Sequence, residues 1–255
     1  MVSPVNDLLI LDRVTIRFGG LCAVDDVSIR IGAQERRAII GPNGAGKTTL
    51  FNAITGVIRP TSGKIIFQDQ DITNTPIHAR TKQGISRTFQ ITNLFPNLTV
   101  QENMQLAAYG LSPRKFSILG KIVLDANARA HADAALTFSR LQERVHTPVK
   151  ELSYGEQRQL ELAMALTAQP KLLLLDEPAA GLSPPERVIL ADIIAALPRS
   201  LPIVLIDHDM DLVLQLVDYV TVLNNGKLLA QAPPQQIREN VDVQNVYFGK
   251  ARQHA

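Results

Sequence analysis

The sequence has no tryptophan, one cysteine in 255 residues, and aromatics at only 5% of the chain. The lone thiol, Cys22, excludes an internal disulfide and any cysteine-rich metal site. It reads as a small buried apolar residue. An excess of charge of either sign is also missing: 26 Lys and Arg stand against 24 Asp and Glu, a formal net charge of +2. Nothing in that balance favours nucleic acid as a main partner. A pI near 8.7 leans mildly basic and suits a surface close to anionic lipid headgroups. Long hydrophobic runs are absent too, and none approaches the roughly 18 apolar residues of a membrane span. The longest, 172–175, stops on Asp176, as a buried parallel strand does. Residues 1–7 are polar and interrupted by Pro4, without the charged head and apolar run of a secretory signal. The expectation is a soluble, cytoplasmic chain.

What is present is enough to bury a full core, since 45% of the residues are hydrophobic. Residues 8–18 and 23–31 alternate apolar and polar side chains, as half-buried strands do. Residues 37–40 form a short apolar strand running into Gly41, and 48–57 follow with helical spacing. The polar stretch 69–78, with Thr73, Asn74 and Pro76, reads as a loop. From about 98 to 168 the chain looks mostly helical, and 125–145 predicts a helix with Leu136, Leu141 and Val145 on one face. Strand and helix alternate again over 171–175, 185–197, 203–206, 209–217 and 219–223. The order implies an α/β core whose parallel sheet is interrupted by a mainly helical insertion. Internal repeats, low-complexity linkers and a coiled-coil arm are not seen.

Gly41-Pro42-Asn43-Gly44-Ala45-Gly46-Lys47-Thr48 fits the Gly-x4-Gly-Lys-Ser/Thr phosphate loop. Its glycines let successive backbone N–H groups point at one anion, and the positive end of the following helix adds to the attraction. In that pattern Lys47 reaches the β- and γ-phosphates, and the Thr48 hydroxyl ligates Mg²⁺. The apolar strand that ends in Asp176-Glu177 supplies the complementary carboxylates. Asp176 is placed to help hold Mg²⁺, and Glu177, one residue on, to orient and deprotonate a water molecule. Paired acids at this point favour hydrolysis of ATP over transfer to a second substrate, as in a small-molecule kinase.

Leu152-Ser153-Tyr154-Gly155-Glu156-Gln157-Arg158 resembles the signature motif, usually written LSGGQ, of the ATP-binding-cassette (ABC) ATPases, with Tyr154 and Glu156 departing from it. The resemblance runs across nearly the whole chain. It implies a P-loop NTPase (RecA-like) core with an N-terminal antiparallel β subdomain and a helical signature subdomain. The implied boundaries are 1–90 and 160–235 for the core, 91–159 for the helical part, and 236–255 for a tail. It implies further that Gly41 to Thr49, Thr49 included, hold ATP with Phe18 stacked on the adenine. By the same resemblance Gln90 would sense Mg²⁺ and abut a permease, 180–183 would form the D-loop, and His208 would touch the γ-phosphate. Ser153 and Gly155, flanked by Tyr154 and Glu156, act in trans on the ATP of a second subunit, either another copy or a paralogue. Residues 97–103, 176–182, 208–210 and 243–249 are similar to those of branched-chain amino acid importer ATPases. Such an ATPase sits at the cytoplasmic face of a membrane, under transmembrane permease subunits fed by a substrate-binding protein. ATPases for urea or short amides and for lipopolysaccharide export share much of the same wording. A soluble ABC ATPase outside transport is the other alternative.

Overall fold

The structure, a computed structural model, describes residues 7–88, 94–111, 126–207 and 210–248. In chain order it contains β1 (Asp7–Phe18), β2 (Leu21–Gly32), β3 (Arg36–Ile40), α1 (Lys47–Thr55), β4 (Ser62–Phe67), β5 (Gln70–Asp71) and α2 (Ile77–Gln83). Next come β6 (Ile85–Arg87), α3 (Val100–Leu111), α4 (Ala126–Phe138), α5 (Tyr154–Thr167), β7 (Leu172–Asp176) and α6 (Pro184–Ala196). The last are β8 (Ile203–Ile206), α7 (Met210–Leu216), β9 (Tyr219–Asn224), β10 (Lys227–Ala232), α8 (Pro234–Glu239) and α9 (Val241–Phe248). The chain divides into two compact units, one of Met1–Gln83 with Arg199–Ala255 and the other of Gly84–Pro198.

In the first unit β1 pairs antiparallel with both β2 and β4. Its Leu9 and Leu11 are buried by alternation, and an irregularity at Arg13 (φ +50) shifts the register so that Val14 and Ile16 are buried as well. Cys22, expected to be buried, is only half-buried, because β2 begins at the exposed tip of this hairpin; its thiol donates to the Val24 carbonyl. β3 runs parallel to β8 on one side and β9 on the other and is buried throughout. A ligand loop at its carboxyl end is the usual arrangement of an open parallel sheet. The stretch 69–78 is less loop-like than expected. β5 returns antiparallel along β4, and α2 begins at Ile77. Between them Asp71 accepts from the Thr73 N–H at 2.9 Å, the turn chemistry that made the segment read as a loop.

In the second unit β6 and β7 are parallel, and α3, α4 and α5 enclose Val100, Met104, Leu136, Leu141 and Leu160. The helix predicted over 125–145 is broken. α4 stops at Phe138, Arg140 turns into the left-handed region at φ +57, and a short 3-10 turn follows at Gln142–Arg144. The Leu141 N–H bonds back to the Leu136 carbonyl, so both leucines still face one core although the helix has ended. Asn103 is fully buried and ties down the preceding turn: its amide oxygen accepts the Phe95 N–H at 2.8 Å, and its NH₂ donates to the Phe95 and Thr99 carbonyls.

Candidate functional site

In the first unit residues 41–46 join β3 to α1. Gly46 caps the helix at φ +99, and a Cβ there would lie 2.4 Å from the Ala23 carbonyl oxygen, so only glycine lets the loop come this close to β2. The Ala45 carbonyl accepts the Gly226 N–H at 3.1 Å, from the turn between β9 and β10. The loop is therefore braced from two sides before any ligand is considered. Lys47 lies buried along it, its Nζ donating to the carbonyls of Gly41 at 2.7 Å and Pro42 at 3.0 Å. Asn43, Gly44 and Thr48 are exposed, and Pro42 and Thr49 half-buried. No acidic residue occupies the first turn of α1, so the positive end of its dipole is left for an external anion. Phe18 ends β1 opposite Leu21, 49% exposed, on the hairpin whose return strand carries Ala23 against the loop. An aromatic face bared beside a phosphate cradle is what a nucleobase needs.

In the second unit β7 delivers Asp176 to a buried position, with the Arg87 guanidinium of β6 on its Oδ2. Its Oδ1 is buried without a hydrogen-bond partner. Glu177 follows at φ +45, a left-handed conformation that turns it away from the strand and leaves it half-buried. Ser153 caps α5: its hydroxyl accepts the Glu156 N–H at 3.1 Å, while Glu156 accepts the Ser153 N–H at 2.8 Å. Glu156 also pairs with Arg144 at 3.0 Å. The Tyr154 hydroxyl accepts from Arg158 at 2.7 Å, and Arg158 in turn bonds Glu161 at 2.8 Å in a buried pair. Gln90 and His208 lie outside the described residues.

Residues 24–180 match the ABC transporter family, the match running from within β2 past the Asp176–Glu177 pair. The chain belongs to that family. It is 42% identical over 251 residues to the high-affinity branched-chain amino acid transport ATP-binding protein LivG of Escherichia coli, covering 96% of this chain and 98% of the relative. To the corresponding BraF protein of Pseudomonas aeruginosa it is 38% identical, again over 96% and 98%. Among solved structures it resembles an ATP-binding cassette of an ABC transporter in its ADP conformation, with a TM-score of 0.85, 30% identity, and 95% of this chain and 99% of that one covered.

As an ABC ATPase the chain binds and hydrolyses ATP. Among the described residues no helix is long and apolar enough to cross a membrane. Nor, among them, do three or more His, Cys, Asp or Glu side chains group into a metal site. A protein-only cage is not what Mg²⁺ requires, because this ion is usually held by one or two side chains plus nucleotide phosphates. The orphaned Oδ1 of Asp176 is a hard oxygen donor that fits it. Two contacts, one in each unit, were not legible in the sequence. Arg87 reaches Asp176 across 89 residues. Tyr247 on α9 accepts the Gly41 N–H, and burial pushes its phenol up to about 12.

Proposed function

We propose that this chain is the ATP-hydrolysing subunit of an importer of branched-chain amino acids or related small amides, working as a dimer at the cytoplasmic face of the membrane beneath a permease. The observation that carries the reading is the 42% identity to a named branched-chain amino acid transport ATP-binding protein, spread over nearly the full length of both chains. Identity confined to the nucleotide loop would support an ATPase and nothing finer.

In this reading residues 41–49 hold the nucleotide, N–H groups within 43–48 and the Lys47 ammonium take the phosphates, and Phe18 stacks on the base. Thr48, Asp176 and Gln90 would hold Mg²⁺, which neutralises charge on the phosphates when bound. Glu177 accepts the proton of the attacking water, and His208 steadies the γ-phosphate. Ser153 and Gly155 supply donors to the nucleotide of the second subunit, so neither subunit completes a site alone. ATP then drives closure by binding the closed dimer better than the open one, and loss of the γ-phosphate lets it reopen. Cargo selection lies with the permease and a separate binding protein.

The test is purification of the chain from its own cells with the membrane solubilised. The reading expects a multispanning membrane protein as companion, and ATP turnover that rises when a binding protein loaded with leucine, isoleucine or valine is added to the reconstituted complex. Stable association with ribosomes or DNA, or stimulation by lipopolysaccharide alone, would refute it.

A further inference from the structure

The carboxylate of Glu186 ties together the starts of two helices in the second unit. Its Oε2 accepts the Ser183 N–H at 3.0 Å and the Ser183 hydroxyl at 2.6 Å, closing the first turn of α6. Its Oε1 reaches across to α5 and accepts the Gly155 N–H at 3.0 Å. The Ser153 hydroxyl, which accepts the Glu156 N–H at 3.1 Å, begins the same turn. A Cβ on Gly155 would sit 2.6 Å from Oε1, so the approach exists because residue 155 is glycine. One of the two donors assigned in trans, the Gly155 N–H, is thus turned onto an anion of its own chain.

We propose that Glu186 is a positioning residue that stands in, within the chain, for the phosphoryl group the signature turn receives from the second subunit's ATP, and that the dimer closes as this carboxylate is displaced. The proposal rests on the reading of Ser153 and Gly155 as donors in trans. The Gly155 N–H has a single proton to give, so carboxylate and phosphate cannot share it. Two anions at one helix start also repel. The displaced side chain keeps its partner on α6, because Oε2 retains both groups of Ser183. Arrival of a phosphate at the signature turn therefore frees α6 and residues 180–183 from α5. Whatever holds those two starts together opposes ATP-driven closure, and by linkage closure loosens them.

The test uses the full chain in a Glu177→Gln background, where ATP persists and dimers accumulate. Glu186→Gln removes the charge but retains a residue that serves at this capping position, so α6 keeps its start. The expected result is that the ATP concentration for half-maximal dimer, read by analytical ultracentrifugation, falls about tenfold. Glu186→Asp, too short to span to Gly155, is expected to shift it in the same direction. ADP binding to the monomer serves as a control for the phosphate-loop side. If either variant needs as much ATP as the Glu177→Gln parent, or more, Glu186 supports the signature rather than opposing closure and the proposal fails. If the parent itself forms no ATP-dependent dimer, the proposal falls together with the reading in trans beneath it.

Discussion

Replacing Arg80 by methionine removes the group that finishes the phosphate-loop helix at its far end. Arg80 is 1% exposed, and its guanidinium donates to the carbonyls of Ala53 at 2.6 Å, Ile54 at 2.8 Å, Thr75 at 2.8 Å and Thr73 at 3.0 Å. The first two belong to the last turn of α1, where carbonyls have no partner within the helix and a cation complements the dipole. Leaving a buried acceptor without a partner costs about 1–3 kcal/mol. Ala53 and Ile54 are buried, whereas Thr73 and Thr75 are half-buried and water can replace the lost donor there. Ala53 keeps the Gly56 N–H at 3.2 Å, so the one orphaned carbonyl, that of Ile54, gives a loss of about 1–3 kcal/mol. Methionine fills much of the volume, so little of this comes from a cavity. Urea unfolding measures it as a lower midpoint with an unchanged slope.

Burial pushes the Arg80 guanidinium down to about 10, which still leaves it charged at neutrality. The unfolded chain holds its proton more tightly, so linkage raises stability only as pH climbs above about 10. The difference between wild type and Arg80→Met should therefore be flat from about pH 6 to 9. Arg80→Lys should fall between the two, since a point-charge ammonium cannot reach four carbonyls. A loss below about 1 kcal/mol for Arg80→Met would show that water or a repacked turn satisfies these groups, and the capping argument would be wrong.

Glu177→Gln should retain ATP binding while steady-state phosphate release drops about 10²- to 10⁴-fold, the contribution of a general base; near-normal turnover removes Glu177 from that role. Tyr247→Phe tests the brace between α9 and the phosphate loop. The native phenol is raised from 10.0 to about 12, so the unfolded chain ionises first and stability, complete below about pH 10, is lost as pH rises towards 12. The fall in Tm between about pH 9 and 11 should shrink in Tyr247→Phe, and an identical fall would mean the phenol is not buried against Gly41. Arg144→Ala should raise the ATP concentration needed for dimer formation by a few-fold, the worth of an exposed ion pair, as read by analytical ultracentrifugation in the Glu177→Gln background. A lowered requirement would contradict the electrostatic argument for the signature turn.

The phosphate loop, the paired carboxylates and the signature turn were legible because their chemistry demands particular residues at neighbouring positions. Strands β1, β2, β3, β7 and β8 were legible from alternation or from short apolar runs. Arg80, Arg87 and Glu186 were not, and the reason is common to all three. Each acts on a partner distant in sequence, by 26, 89 and 31 residues respectively, and local spacing carries no trace of such a meeting. An arginine at position 80 reads as an ordinary surface residue until α2 carries it under α1. The break in the predicted helix over 125–145 failed for a different cause. Leu136 and Leu141 keep a helix-like apolar pattern because the chain reverses over Arg140 and returns the second leucine to the same core. Periodicity reports which side chains are buried, and only by inference the backbone between them.

The same distinction between local and distant partners explains how the signature turn tolerates its two departures from the family pattern. Tyr154 is anchored by Arg158, which hydrogen-bonds its hydroxyl and lies 5.1 Å over its ring. Its bulk is thereby held to the side of α5 and off the cap. Glu156 introduces a carboxylate next to donors that the proposed reading assigns to a phosphate, and on charge alone this should weaken them. It does not act as a free charge: Arg144 neutralises it at 3.0 Å, and its second oxygen is committed to the Ser153 N–H. Glu186 differs in that, among the described residues, all its hydrogen bonds come from serine and glycine groups and none from a cation. Of the two carboxylates at the signature turn, the one that departs from the motif is compensated by a cation, and the one outside the motif, among the described residues, is not. A sequence comparison limited to the motif would place the electrostatic liability at Glu156; the hydrogen bonds place it at Glu186.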